Sequence, residues 1–137
     1  MARIRFADRT YEIAANLGLT HIDGEPAAIA RVQQANGHLW QRLDQPDVRF
    51  DSKRRSFEGS QTQASINKIA GRHWLWGYNI QIESPGFETL DFGRLNYAGD
   101  ITGGPRITYR ETRPGRYLRA YSTQLGLNNY WYLTHKF

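Results

Sequence analysis

His21, Asp23 and Glu25 stand at alternate positions with His38 downstream, and an imidazole beside carboxylates is a donor set that zinc and other transition metals accept. Their spacing matches no established metal signature. Polar residues at a loop rim account for them, so neither a metal nor another cofactor is expected. Glu83, Glu88 and Asp91 surround a Ser-Pro-Gly-Phe turn at residues 84–87, and two carboxylates roughly 5 to 9 Å apart can cleave a glycosidic bond. Nothing in the chain's spacing sets that distance. Ser84 lacks a nucleophile elbow, and Gly103-Gly104-Pro105 reads as a strand kink or bulge rather than a phosphate loop. With no cysteine, thiol chemistry, disulfides and Cys-bearing metal sites are excluded. The expectation is a protein that is not an enzyme, with a carboxylate hydrolase as a distant alternative.

The positioning elements are strands. In His73 to Glu83 the side chains of Trp74, Trp76, Tyr78, Ile80 and Ile82 fall on one face of an extended chain. His73, Gly77, Asn79, Gln81 and Glu83 fall on the other, with only Leu75 intruding. Aromatics gathered at one end with aliphatics following fit a membrane-spanning β-strand, whose rings sit at headgroup depth. Residues 9–20 repeat the pattern, with Tyr11, Ile13, Ala15, Leu17 and Leu19 opposite Glu12, Ala14, Asn16, Gly18 and Thr20. Residues 116–133 carry Tyr117, Tyr121, Thr123, Leu125 and Leu127 on one face, broken by Arg119. Residues 101–112, with Ile107 and Tyr109 against Arg106, Thr108 and Arg110, and residues 56–68, with Ala64 and Ile66 against Gln61, Gln63 and Ser65, alternate less cleanly. Five strands are therefore expected.

Their connections run long, short, long, short: residues 21–55, a turn at Ala70-Gly71, residues 84–100, and Arg113-Pro114-Gly115. Outer-membrane barrels alternate in this way between extracellular loops and periplasmic turns. In that orientation strands one, three and five run outward. Glu25-Pro26 before AAIARVQQANG predicts a short helix in the first long loop, with Pro at its first turn, Asp23 near its cap, a stop at Asn36-Gly37, and Ile29 and Val32 packed inward.

The chain is 137 residues with a formal charge of +5, a pI near 9.7 and a mean hydropathy of -0.68. It has the length of one domain, and no apolar run approaches the roughly 20 residues of a membrane helix. The positive residues cluster at Lys53, Arg54 and Arg55 and recur through Arg106, Arg110, Arg113, Arg116 and Arg119. Without an RNA-binding signature, these read as solvated surface or contacts to lipopolysaccharide phosphates, and no nucleic acid is expected.

The segment SPGFETLDFGRLNYAGD, residues 84–100, is not explained by strand physics, and it resembles a motif of a family of large, uncharacterised bacterial outer-membrane β-barrel proteins. GRHWLWG and YRETRPGRYLRAY resemble that family's strands and turns, and LTHIDGEPAAIARVQQANGHLWQRLD resembles one of its loops. Thr89-Leu90 stands where the family has an Asn before the Asp. The resemblance covers most of the chain, most specifically residues 71–121. It singles out Ser84, Pro85, Gly86, Phe87, Glu88, Asp91 and Gly93 as a loop motif.

Family members carry an export signal and an N-terminal carbohydrate-binding-like domain before the barrel, so the resemblance implies an excerpt of that barrel. No charged-then-apolar leader opens MARIRFADRT, five strands are too few to close a barrel, and Phe137 would end on the extracellular side. The combined expectation is an all-β, antiparallel up-and-down meander forming part of a transmembrane barrel in the bacterial outer membrane. Tyr11, Trp74, Trp76, Tyr78, Ile80, Ile82, Tyr109 and Tyr121 would face lipid. The partners would be outer-membrane lipid, lipopolysaccharide, the rest of the barrel and glycans. The rival reading is a soluble, lipocalin-like module folded around the same stripe to hold a hydrophobic or sugar ligand.

Overall fold

A computed structural model describes residues 1–35, 49–88 and 99–132. Six strands lie side by side in chain order as an antiparallel meander: β1 (Ala2–Phe6), β2 (Tyr11–Asp23), β3 (Ser56–Lys68), β4 (Trp74–Glu83), β5 (Asp100–Glu111) and β6 (Tyr121–Gly126). A short β7 (Asn129–Tyr132) also pairs with β5, and a single helix, α1 (Pro26–Gln34), follows β2. The all-β meander and the helix in the first long connection agree with the sequence reading, while the strand count and two strand ends do not.

The unanticipated strand is β1. It pairs with β2 in a register that sets Ala2 opposite Ala15, Ile4 opposite Ile13 and Phe6 opposite Tyr11. Its turn escapes sequence reading because Ala7, Asp8 and Arg9 all take positive φ angles of 49°, 51° and 62°. Glycine or asparagine normally marks that conformation. The Thr10 amide donates to the Ala7 carbonyl at 2.9 Å and closes the turn.

The strand expected at 116–133 begins later and is broken. Pairing with β5 starts at Glu111 opposite Tyr121, so residues 112–120 are a connection, and Tyr117 stands there 84% exposed rather than on a strand face. The break follows Gly126, opposite the stretch around Pro105, which has no amide to donate. Pro105 instead accepts from the Leu127 amide at 3.0 Å, and the chain resumes as β7. A side chain at Gly104 would collide with the Leu127 carbonyl, so the glycine permits this approach.

The chain divides into two compact units. Met1–Asn16, Gln63–Gln81 and Thr102–Asn129 form one; Leu17–Thr62, Ile82–Ile101 and Tyr130–Phe137 form the other. The second unit holds the only apolar core cluster among the described residues, Ile29 and Phe57 with Ile22 packed against them. Pro26 starts α1, and Ile29 and Gln33, one turn apart, are its buried residues. Val32 is half-buried. Gln33 donates to the Asp51 carbonyl at 2.9 Å and accepts from its amide at 2.8 Å, so a side-chain amide pins the returning chain as a strand neighbour would. Asp23 does not cap the helix, which has no side-chain cap, because its carboxylate is taken by His21. Asn36-Gly37 lies outside the described residues.

Candidate functional site

In the first unit the odd positions of β2 and β5 and the even positions of β1 and β4 form one apolar side. Its aromatic rings make a row. Phe6 stacks on Tyr11 with centroids 5.4 Å apart, Tyr11 lies 6.0 Å from Trp76, Trp74 meets Tyr109 edge-on at 4.9 Å, and Tyr109 lies 6.0 Å from Tyr121. These spacings are those of attractive ring pairs. β1 and β2 supply a ring beside the turn at residues 7–10, β4 beside residues 69–73, and β5 and β6 beside the longer connection at 112–120. Most remain open to the surroundings: Trp74 is 53% exposed and Tyr121 48%. Trp76, Tyr78, Ile4, Ile13, Ile107 and Leu125 are exposed as well. Of the remaining residues expected to face lipid, Ile82 is exposed and Tyr11, Ile80 and Tyr109 are half-buried.

Alternate positions of the same strands are polar and knit together. Gln63 donates to Gln81 at 2.8 Å, Asn67 to Ser65 at 3.2 Å and Thr108 to Gln124 at 3.4 Å. Glu12 is 9% exposed and takes the Arg5 guanidinium at 2.7 Å and that of Arg3 at 3.6 Å. A depression of about 300 Å³ lies here, lined by Ala14, Asn16, Gln63, Ser65, Asn79 and Gln81 among others. β4 therefore inverts the pattern of a water-soluble strand: Gly77 and Glu83 are buried, while Trp74, Trp76 and Tyr78 are exposed.

In the second unit, the start of the loop motif folds over the polar positions. Ser84 donates to the Ser60 carbonyl at 2.9 Å and its hydroxyl accepts from the Ser60 amide at 2.8 Å. The Phe87 amide closes the turn onto Ser84 at 3.0 Å, and the Glu88 amide reaches the Thr20 hydroxyl at 3.3 Å. Phe87 is thereby buried, its ring over Gly18 and its backbone tight against Gly59. Pro85 and Gly86 set the turn, with Gly86 against the Glu58 carbonyl. Asp91, Gly93 and the rest of residues 89–98 lie outside the described residues.

The groups singled out for chemistry are partly brought together. Glu83 accepts from Gln61 at 2.7 Å. His21 lies between Asp23, 2.7 Å from its Nε2, and Glu58, 3.1 Å from its Nδ1. Hydrogen bonding to Asp23 raises the imidazole pKa above its ordinary value, with the charges of Asp23 and Glu58 acting in the same direction against desolvation. Sequence spacing missed Glu58, which only the pairing of β3 beside β2 brings there. Glu25 serves as the N-cap residue of α1, and His38 lies outside the described residues. Among the described residues no group of three or more His, Asp or Glu is disposed to hold a metal ion. No known family, curated protein or solved structure matches the chain.

Proposed function

We propose that this chain forms part of the wall of a bacterial outer-membrane β-barrel, a structural or transport-related element with its aromatic side toward lipid and its polar side toward a lumen. The long connections would meet the extracellular surface, lipopolysaccharide and glycans, and the remainder of the barrel would pair with the sheet edges. One observation carries the reading: among the described residues most large apolar side chains of the strands are exposed, and a row of aromatic rings follows one end of the strands. That is the girdle arrangement of membrane barrels. A lipocalin-like module would enclose the apolar side, yet here Phe87 covers the polar-side positions Gly18 and Gly59, and Phe57 and Ile22, at polar-side positions of β3 and β2, pack with Ile29.

The test is quenching by lipid. In a variant with Trp40→Phe and Trp131→Phe, only Trp74 and Trp76 emit. Lipids brominated near the headgroup should quench them more strongly than lipids brominated at the chain ends. Unquenched emission from protein that remains monomeric in plain buffer would replace this proposal with the soluble module.

A further inference from the structure

On the polar side of the first unit, charge is one-sided. Arg3 and Arg5 of β1, Arg106 and Arg110 of β5 and Glu12 of β2 are the charged residues at the polar-side strand positions described there, so one carboxylate faces four guanidinium groups. Arg3 and Arg5 share Glu12, whereas Arg106 and Arg110 lie across the sheet against neutral oxygens. Arg106 reaches over β4 to the Asn67 side-chain carbonyl at 3.5 Å. It does so above Gly77, where a Cβ would collide with the Asn67 oxygen and come within 3.3 Å of the guanidinium. Arg110 donates to the Gly71 carbonyl at 3.3 Å, while its buried Nε has no hydrogen-bond partner among the described residues. The partners between are neutral amides and hydroxyls, Gln63, Gln81, Asn67 and Thr108. These add donors and acceptors without cancelling charge.

We infer that this polar side selects anions, and that small anionic solutes bearing carboxylate or phosphate groups are what the lumen attracts and passes. The inference rests on the barrel reading above. Rings of arginine or lysine are how pores favour anions, and a cleft lined by one sign of charge raises the local concentration of counter-ions of the opposite sign. Guanidinium groups held across the sheet by carbonyl oxygens keep donors free for a passing anion. The shared Glu12 fixes Arg3 and Arg5 without neutralising both. Gly77 has a specific part in this arrangement, because a side chain there would collide with the Asn67 oxygen that accepts from Arg106.

The full-length protein, inserted into planar lipid bilayers across a potassium chloride gradient, tests this. The reversal potential should lie toward that of chloride, with an anion-to-cation permeability ratio above unity. Added inorganic phosphate should reduce the chloride current. The pair Arg106→Gln and Arg110→Gln should bring the ratio down toward unity while single-channel conductance persists. Raising the ionic strength should weaken the selectivity, as screening requires. Conductance with cation preference, or a ratio unchanged in the double variant, would overturn the anion assignment and leave the barrel reading standing. Absence of any conductance from correctly inserted protein would overturn the anion assignment alone, and failure of the folded protein to insert into lipid would overturn both.

Discussion

Gly59 and Gly18 both lie beneath Phe87, but only one has room for a methyl group. A Cβ on Gly59 would run into the backbone of Gly86 and Phe87, whereas one on Gly18 would meet the Phe87 ring at 3.6 Å, an ordinary contact. Gly59→Ala is therefore expected to cost about 1–3 kcal/mol, the range of an overpacked site. Gly18→Ala should be nearly neutral, since a glycine inside a strand is itself unfavourable. Chemical denaturation of the folded protein compares the two, and equal costs would show that the 84–88 turn does not rest on β3. His21, two residues beyond Leu19 and outside the apolar stretch of β2, provides a second residue-scale test. Its folded pKa is raised above 6.5 by Asp23 and Glu58. The protonated ring thus favours the folded state below the unfolded value, and that contribution disappears as pH rises through the folded pKa. An NMR titration should place the midpoint above 6.5 and Asp23→Asn should lower it; a midpoint indifferent to Asp23→Asn would mean that the contact does not persist in solution. The alternate spacing of His21 and Asp23 was legible, but as a loop rim, because β2 runs on through Asp23 instead of ending at Thr20. Glu58 was not, because neighbouring-strand register depends on the long connection between β2 and β3.

Strand extent was legible even where alternation is loose, whereas the sharply alternating strand expected at 9–20 starts later and ends later, as Tyr11–Asp23. β3 matches the expected 56–68, and β4 and β5 fall within one residue of expectation. The failures share a cause. β1 follows a turn built from alanine, aspartate and arginine at positive φ, and β6 ends where Pro105 removes a ladder donor; neither feature announces itself as turn chemistry. The same alternation supports a test that separates lipid from water. Leu17 is 64% exposed on the apolar side of β2, and Asn16 precedes it on the other side. In water, Leu17→Arg would be a surface change worth within about 0.5 kcal/mol either way. Facing the middle of a bilayer, it should cost about 2–4 kcal/mol, while Asn16→Arg on the lumen side costs little. Unfolding from lipid vesicles measures both, and a cheap Leu17→Arg would remove β2 from the membrane wall.

Among the described residues, three large apolar side chains are buried, Ile29, Phe57 and Phe87, against twenty large hydrophobic ones that are exposed. Each full burial contributes roughly 1.5–3 kcal/mol, while fixing each residue's backbone costs roughly 1–2 kcal/mol. Among the described residues, exposed apolar surface thus outweighs what is buried, and under the proposed reading lipid would cover it. β1 and β6 lie at the two ends of the strand order, with no further strand paired to them among the described residues, and open edges favour association. In plain buffer the chain is therefore expected to aggregate or enter inclusion bodies, and with detergent micelles to give a stable species whose tryptophan emission shifts to shorter wavelength. A sharp monomeric gel-filtration peak without detergent, with cooperative thermal unfolding, would mean that the apolar side closes on something within the chain. It would then be a filled interior, as the soluble-module reading requires. The sequence could not decide between these alternatives because alternation is identical whichever side faces inward. The proposed wall reading draws its support from where exposure falls among the described residues, on Trp74, Trp76, Leu17 and Leu19, while Glu12 and Glu83 are covered, and the detergent experiment decides between the two.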